Sequence, residues 1–283
     1  MQQASSRFQA QGLSLTAISY DNAETLRSFS KRMSIGYPLL SDPGSTLIRR
    51  FHMLDPDNSE RNIPAYGTRD VAYPGWFFID PSGVVKEKFL DPFWGDRYTA
   101  NNVIGKMFPE LSEAAAVPPQ STPHLNVRAT QSDTVASPGS RITLGVEIRM
   151  ADGMHIYAPG VQGYRPVQLI LDSSNAFETR PAVFPPSEIL ELKAIDEKAP
   201  VYRGKVRIAQ DIVVSYRGAL QSKLPRNRDE AIPVEVTGKL LYQACDDKVC
   251  YRLTEVPLHW TISVHRNDNL RPPPEDRQAA RQP

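Results

Sequence analysis

The hydrophobic residues of this chain change their period once, and the change falls at a proline-bearing stretch. Residues 114–123 read Ala-Ala-Ala-Val-Pro-Pro-Gln-Ser-Thr-Pro. Ahead of them, strand signals alternate with helical ones. Beyond them, short strands follow one another with turn residues between. A switch of that kind predicts two cores of different architecture rather than one. The 283 residues are enough to bury both, and 40% hydrophobic against 23% charged residues describes a largely globular chain.

In the first part, residues 13–19 read as an apolar strand. Asp21 and Asn22 offer a cap to a helix carrying Leu26, Phe29 and Met33, which Gly36 and Pro38 end. Ser41-Asp42-Pro43-Gly44 is a turn and cap before a short helix with Leu47, Ile48 and Phe51. Residues 55–72 are polar and irregular, with Asp55–Glu60 as a solvated charged loop. Trp76–Asp80 is an aromatic strand, and Val84–Phe89 returns beside it across the Pro81-Ser82-Gly83 turn. A last helix spans 98–108. Trp76 and Trp94 read as core or hairpin packing. Together these elements predict an α/β layer fold over residues 1–116 and a linker at 117–123. Strands are then expected at 124–130, 140–150, 166–172, 204–215, 232–243 and 250–264, which predicts an antiparallel β-sandwich over 124–266. Tyr157, Tyr164 and Tyr242 read as half-buried sandwich residues, Tyr157 also as a candidate contact for a disulfide. Residues 267–283 hold four prolines and six charges and predict a disordered tail.

Several function classes fall away. The formal charge is +1 and is evenly divided: 12 basic and 13 acidic residues lie in 1–121, and 21 and 19 in 122–283. No basic face for nucleic acid is implied. No apolar run is long enough to span a bilayer as a helix. The first eight residues carry one charge and no apolar stretch, so no signal peptide is read there, and the start reads as the interior of a longer domain. Two cysteines, Cys245 and Cys250, exclude a disulfide-dense scaffold and a thiolate-based zinc site. His52, His124, His155, His259 and His265 show no ligand-like spacing with that pair, so neither a metal nor a cofactor is expected. No phosphate loop, Ser-His-Asp set or paired-carboxylate motif is present.

The cysteines flank Asp246-Asp247-Lys248-Val249, with strand-like sequence on both sides. In such a hairpin the flanking residues face each other, and a non-hydrogen-bonded pair brings Cα atoms to about 4.5 Å, within reach of a disulfide. Closing so short a loop restrains the unfolded chain by only roughly 2 kcal/mol. Reversible exchange is the better use of two thiols held together, because one can resolve a mixed disulfide made by the other. A structural bridge and metal binding are the alternatives. Asp246 and Asp247 would raise the Cys245 thiol pKa, whereas Lys248 and Arg252 would oppose this near Cys250.

Two resemblances fit these elements. Leu15–Asp21 (LTAISYD), Tyr37–Gly44 (YPLLSDPG), Tyr73–Gly75 (YPG) and Phe78–Val84 (FIDPSGV) resemble the thioredoxin-like redoxins of the alkyl hydroperoxide reductase/thiol-specific antioxidant type, over roughly 1–112. That resemblance implies an incomplete thioredoxin-like fold, with Pro74 as a vestigial cis-proline. A redoxin-type peroxidase would need a cysteine ahead of the linker, and none precedes Cys245, so this part is expected to be inactive. Asp152-Gly153-Met154-His155-Ile156-Tyr157, Val201-Tyr202-Arg203 and above all Leu241–Tyr251 (LYQACDDKVCY) resemble the N-terminal (alpha) domain of DsbD thiol:disulfide interchange proteins. The cysteine spacing here is shorter than in the best-known members. This second resemblance implies an immunoglobulin-like sandwich, thioredoxin-like or other dithiol/disulfide partners, and a periplasmic setting. It implies that Cys250 forms the mixed disulfide and Cys245 resolves it. It also implies a cap over the pair from Asp196, Glu197 and Lys198, where members usually place an aromatic in the position of Lys198, with Tyr157 and Tyr202 as supports. A thiol:disulfide oxidoreductase is the expected activity, and a binding module with a structural disulfide is the non-enzymatic alternative.

Overall fold

The computed structural model describes residues 1–54, 72–91, 93, 95–111, 118–192, 197–227 and 229–267. The expected charged loop at 55–60, Trp94, Val117 of the expected linker, Asp196 and the expected tail from residue 268 lie outside them, whereas Gln120 and Ser121, expected in the linker, form a short strand. The chain forms two compact units, Met1–Ile104 and Gly105–Asn267, the second rich in sheet and poor in helix. Among the described residues no helix is long and apolar enough to cross a membrane.

The first unit opens with a helix that the sequence pattern does not announce, α1 (Ser5–Ala10). Its closing turn takes Leu13, whose N–H donates to the Phe8 carbonyl (3.0 Å) past Gly12 at φ +72°. Strand β1 (Ala17–Ser19) therefore starts later than residue 13. Helix α2 (Ala23–Arg32) is capped by Asn22, whose side chain accepts the Thr25 N–H at 2.8 Å. β2 (Leu39–Ser41) runs parallel to β1. Asp42 holds the start of α3 (Thr46–Arg50) by accepting the Leu47 and Ile48 N–H groups. β3 (Gly75–Ile79) and β4 (Val85–Leu90) form the expected hairpin. Asp80 closes its turn by accepting from Ser82 and Val84. β5 (Arg97–Tyr98) and α4 (Ala100–Met107) follow. Phe8 packs its ring 5.6 Å from Trp76, and the Trp76 indole donates to the Tyr98 carbonyl, so Trp76 is a packing residue. Pro74 does not take the cis form that the resemblance implies. No cis peptide occurs among the described residues. Pro74 leads directly into extended β3 without reversing the chain, which the default trans bond serves.

In the second unit, β6 (Gln120–Ser121), β7 (Leu125–Gln131), β9 (Ser140–Met150), β12 (Phe177–Val183) and β15 (Lys205–Val214) make one sheet, in the order β12-β15-β9-β7-β6. A second sheet has the order β11-β16-β18-β8, from β8 (Val135–Ala136), β11 (Gln168–Leu171), β16 (Ala231–Tyr242) and β18 (Thr254–His265). The third, β13-β14-β10-β17, joins β10 (His155–Tyr157), β13 (Glu188–Leu192), β14 (Glu197–Arg203) and β17 (Ala244–Cys245). The short helix α5 (Ala219–Lys223) lies between β15 and β16.

The period-2 rule is clearest in β18. Val256, Leu258, Trp260, Ile262 and Val264 are buried, while Glu255, Pro257, His259 and Thr261 between them face solvent. Trp260 is 1% exposed, and its indole N–H donates to the Thr130 carbonyl of β7 at 2.8 Å, tying the second sheet to the first. Tyr157 and Tyr242 are buried outright, at 2% and 0% exposed, rather than half-buried, because both fall on inward-facing positions. Trp260→Phe removes the inter-sheet hydrogen bond and part of the ring. It should destabilise the protein by roughly 1–3 kcal/mol, seen as a lower urea midpoint at unchanged slope.

Candidate functional site

β16 and β18 pair from Ala231↔His265 up to Tyr242↔Thr254, and there the ribbon stops. The cysteine segment is thus not the tip of that long hairpin, as the strand expected at 250–264 implied. It is a smaller turn of its own, which leaves the second sheet and adds β17 to the third. Within it the Tyr251 N–H donates to the Ala244 carbonyl (2.8 Å) and the Asp246 N–H to the Val249 carbonyl (3.0 Å). These two bonds bracket Cys245 and Cys250, which therefore occupy a non-hydrogen-bonded antiparallel pair. Their Cα atoms lie 4.0 Å apart and their sulfurs are bonded.

Asp246 locks this turn. One carboxylate oxygen accepts the Lys248 and Val249 N–H groups, each at 2.7 Å, and the other accepts the Tyr251 hydroxyl at 2.9 Å. These bonds, the Lys248 N–H foremost, hold the Asp246 carboxyl below its ordinary 3.8. The Tyr251 ring is stacked on His124 at 3.9 Å, and the Gln243 side chain donates to the Tyr251 carbonyl.

β10 is the strand that gathers the site. It pairs with β17 on one side (His155↔Cys245) and with β14 on the other (Tyr157↔Val201). Alternation then sorts the side chains. Tyr157, Ala199, Val201 and Cys245 form one cluster, with Val161, Tyr164 and Leu190 packed against it. Ile156, Tyr202 and Ala244 point through the opposite face into the main core. Tyr202 therefore does not shield the disulfide: it is 5% exposed and donates its hydroxyl to the Pro185 carbonyl at 2.8 Å. Cys245 is 1% exposed, whereas Cys250 lies at the surface.

Tyr157 reaches across the pair, its hydroxyl 3.9 Å from Cys250 Sγ. Burial, helped by the Glu197 charge, raises its pKa, so it stays protonated and is the donor in that contact. Its ring is stacked on Tyr164 at 4.3 Å, and the Tyr164 hydroxyl donates to Glu197 at 2.9 Å. Glu197 is thereby connected to the disulfide through two tyrosines. Lys198 points away, paired with Glu191 at 2.9 Å, as the strand parity requires. Tyr164 and Asp246 acquire more defined places than their sequence setting indicated, and His155, which the sequence marks only as part of a motif and as a histidine without ligand-like spacing, sits directly opposite Cys245. The signal available for His155 was its i, i+2 spacing from Tyr157. Among the described residues, no group of three or more His, Cys, Asp or Glu is arranged to hold a metal ion.

The site is thus a buried and an exposed cysteine joined in a tight turn, with a tyrosine laid over them. Residues 125–256 match the family model of the thiol:disulfide interchange protein DsbD, N-terminal. Residues 1–88 match that of the AhpC/TSA family. Among solved structures, the N-terminal periplasmic domain of ScsB from Proteus mirabilis is similar at 16% identity and a TM-score of 0.36, over 50% of this chain and 49% of that one. The chain thus spans about half the length of that relative. The DsbD N-terminal domain of Neisseria meningitidis in its reduced form is similar at 18% identity and a TM-score of 0.28, over 42% of this chain and 80% of that one. No curated protein matches the chain.

The cysteine turn has a defined acid sensitivity. The Asp246 pKa is lowered in the folded state, so its contribution is complete above the unfolded value near 3.8 and is lost as pH falls through the lower folded value. The Lys248 and Val249 amide shifts in the oxidised protein should therefore hold from neutral pH down through 4 and move only below it. Asp246→Ala should remove that transition from the NMR titration and speed reduction of the disulfide by dithiothreitol.

Proposed function

We propose that this chain is a thiol–disulfide exchange protein that passes electrons in pairs through Cys245 and Cys250, to or from partner proteins. The observation that carries the reading is the unequal exposure of the two sulfurs. An incoming thiolate can meet only the surface sulfur, Cys250, and the leaving sulfur is then Cys245, held 1% exposed beneath it. In the reverse direction, Cys245 attacks Cys250 and releases the partner. The resolving thiol is close by and shielded from competing disulfides, which is the arrangement that rapid resolution needs. Tyr157 steadies the Cys250 sulfur, and Glu197 holds Tyr157 through Tyr164.

The partners of this reading are thioredoxin-like or other dithiol/disulfide proteins, and its setting is the bacterial periplasm, where disulfides persist. The match to the DsbD N-terminal model and the disulfide itself support both. In this reading residues 124–266 are an immunoglobulin-like sandwich that carries the activity. Residues 1–116 are a thioredoxin-like domain without a cysteine, and 117–123 lead from it into the sandwich through β6.

Cysteine trapping tests the division of labour. Cys245→Ala, chosen because serine would bury a hydroxyl at this position, should accumulate mixed disulfides through Cys250 with a thioredoxin-type partner on non-reducing gels. Cys250→Ala should accumulate far fewer. Loss of the bridge in either variant should cost only roughly 2 kcal/mol in a denaturant melt, as expected for so short a loop. A much larger loss with no trapped species would make the bridge a structural staple.

A further inference from the structure

His155 carries polarity that the exchange chemistry above leaves unused. It is 1% exposed, and neither ring nitrogen has a hydrogen-bond partner among the described residues. Buried polar atoms left in that state are uncommon and call for a role. The β10–β17 register sets His155 directly opposite Cys245. Residues so placed on neighbouring antiparallel strands hold their Cβ atoms about 4.5–5.5 Å apart, on the same face of the sheet. The ring also meets Tyr157 edge-on at 5.5 Å, on the face that carries the disulfide.

The surroundings keep the ring uncharged. Arg203 faces it from β14, Asp246 and Asp247 from the cysteine turn, and Tyr157 from its own strand. Burial comes first and the Arg203 charge second in pushing the imidazole below its ordinary 6.5, against the opposing pull of the two aspartates. At neutral pH the ring is therefore a base. Cys245, for its part, is a thiol buried among Tyr157, Ala199 and Val201, where burial disfavours the thiolate it must become in order to attack.

We propose that His155 is the proton acceptor for the Cys245 thiol when Cys245 resolves a mixed disulfide held at Cys250; this rests on the exchange reading above. The Cys245 S–H proton moves to the neutral imidazole, and the thiolate attacks Cys250 Sγ. The Cys245–Cys250 bond forms as the bond from Cys250 to the partner's sulfur breaks, and the partner leaves as a thiolate. The imidazolium then gives its proton to that thiolate or to solvent. The cysteine pair is oxidised by two electrons and the partner's disulfide is reduced by two. Run backwards, the imidazolium protonates the departing Cys245 sulfur.

The test uses the reduced full chain and 5,5′-dithiobis(2-nitrobenzoate) in a stopped-flow spectrometer. Cys250 releases one thionitrobenzoate on attack, and Cys245 releases the second on resolution. His155→Gln should slow the second phase roughly 100-fold at pH 7 and remove the imidazole inflection from its pH profile. The first phase, which does not need Cys245, is the internal control. A second phase unchanged in rate and pH profile would overturn the proposal. Failure of the exchange reading looks different: the unsubstituted protein itself would release no second thionitrobenzoate. Should His155→Gln not fold, NMR titration of His155 in the unsubstituted chain decides. Its pKa should differ between the reduced and oxidised forms, and identical titrations would overturn the proposal.

Discussion

The site depends on one pairing. Cys245 and Cys250 occupy a non-hydrogen-bonded antiparallel position, closed on one side by Tyr251 N–H to Ala244 and on the other by Asp246 N–H to Val249. That position brings opposing side chains closest, so two sulfurs can bond or separate while the backbone ladder stays in place. Asp246 makes the turn independent of its disulfide. Its carboxylate holds two backbone N–H groups and the Tyr251 hydroxyl, none of which involves sulfur. A reduced turn can therefore keep its shape, as a site that cycles between two redox states requires.

The rest of the chemistry follows from strand parity. β10 supplies three side chains, and alternation sends His155 and Tyr157 to the cysteine face and Ile156 to the core. On β14 the same alternation brings Ala199 and Val201 under the disulfide and turns Tyr202 away. The result is a pair of sulfurs with different exposure, a protonated tyrosine over the outer one and a neutral histidine opposite the inner one. A one-residue slip of β10 would exchange the two faces and dismantle the site without disturbing the cysteine turn. The long ribbon of β16 and β18 anchors the segment, since its pairing runs unbroken to the residues that flank the turn.

How much of this could be read from sequence depended on element length and on proline. β9, β15, β16 and β18 each offer ten or more residues of pattern and were legible to within a few positions. β10 is three residues long, too short to display a period, and β14 carries Pro200, which argues against a strand when seen alone. Those two strands hold Tyr157, Glu197 and Tyr202. The cysteine pair and the contact of Tyr157 were therefore within reach, whereas the facing direction of Tyr202 was not, because direction requires a register. The cysteines do face each other, as the hairpin spacing predicts, yet they lie on a turn that crosses to another sheet and not on the long ribbon. Pro74 shows the limit of carrying a conformation over by resemblance: its position matches a motif, but the local chain enters β3 extended and trans.

The central claim is that the Cys245–Cys250 bridge is a working couple rather than a brace. Its reduction potential, measured by equilibrating the full chain against defined glutathione buffers, tests this most directly. The account predicts a couple that reaches equilibrium within such buffers, well above about −300 mV. A bridge that stays oxidised throughout, at a potential below that value, would contradict it.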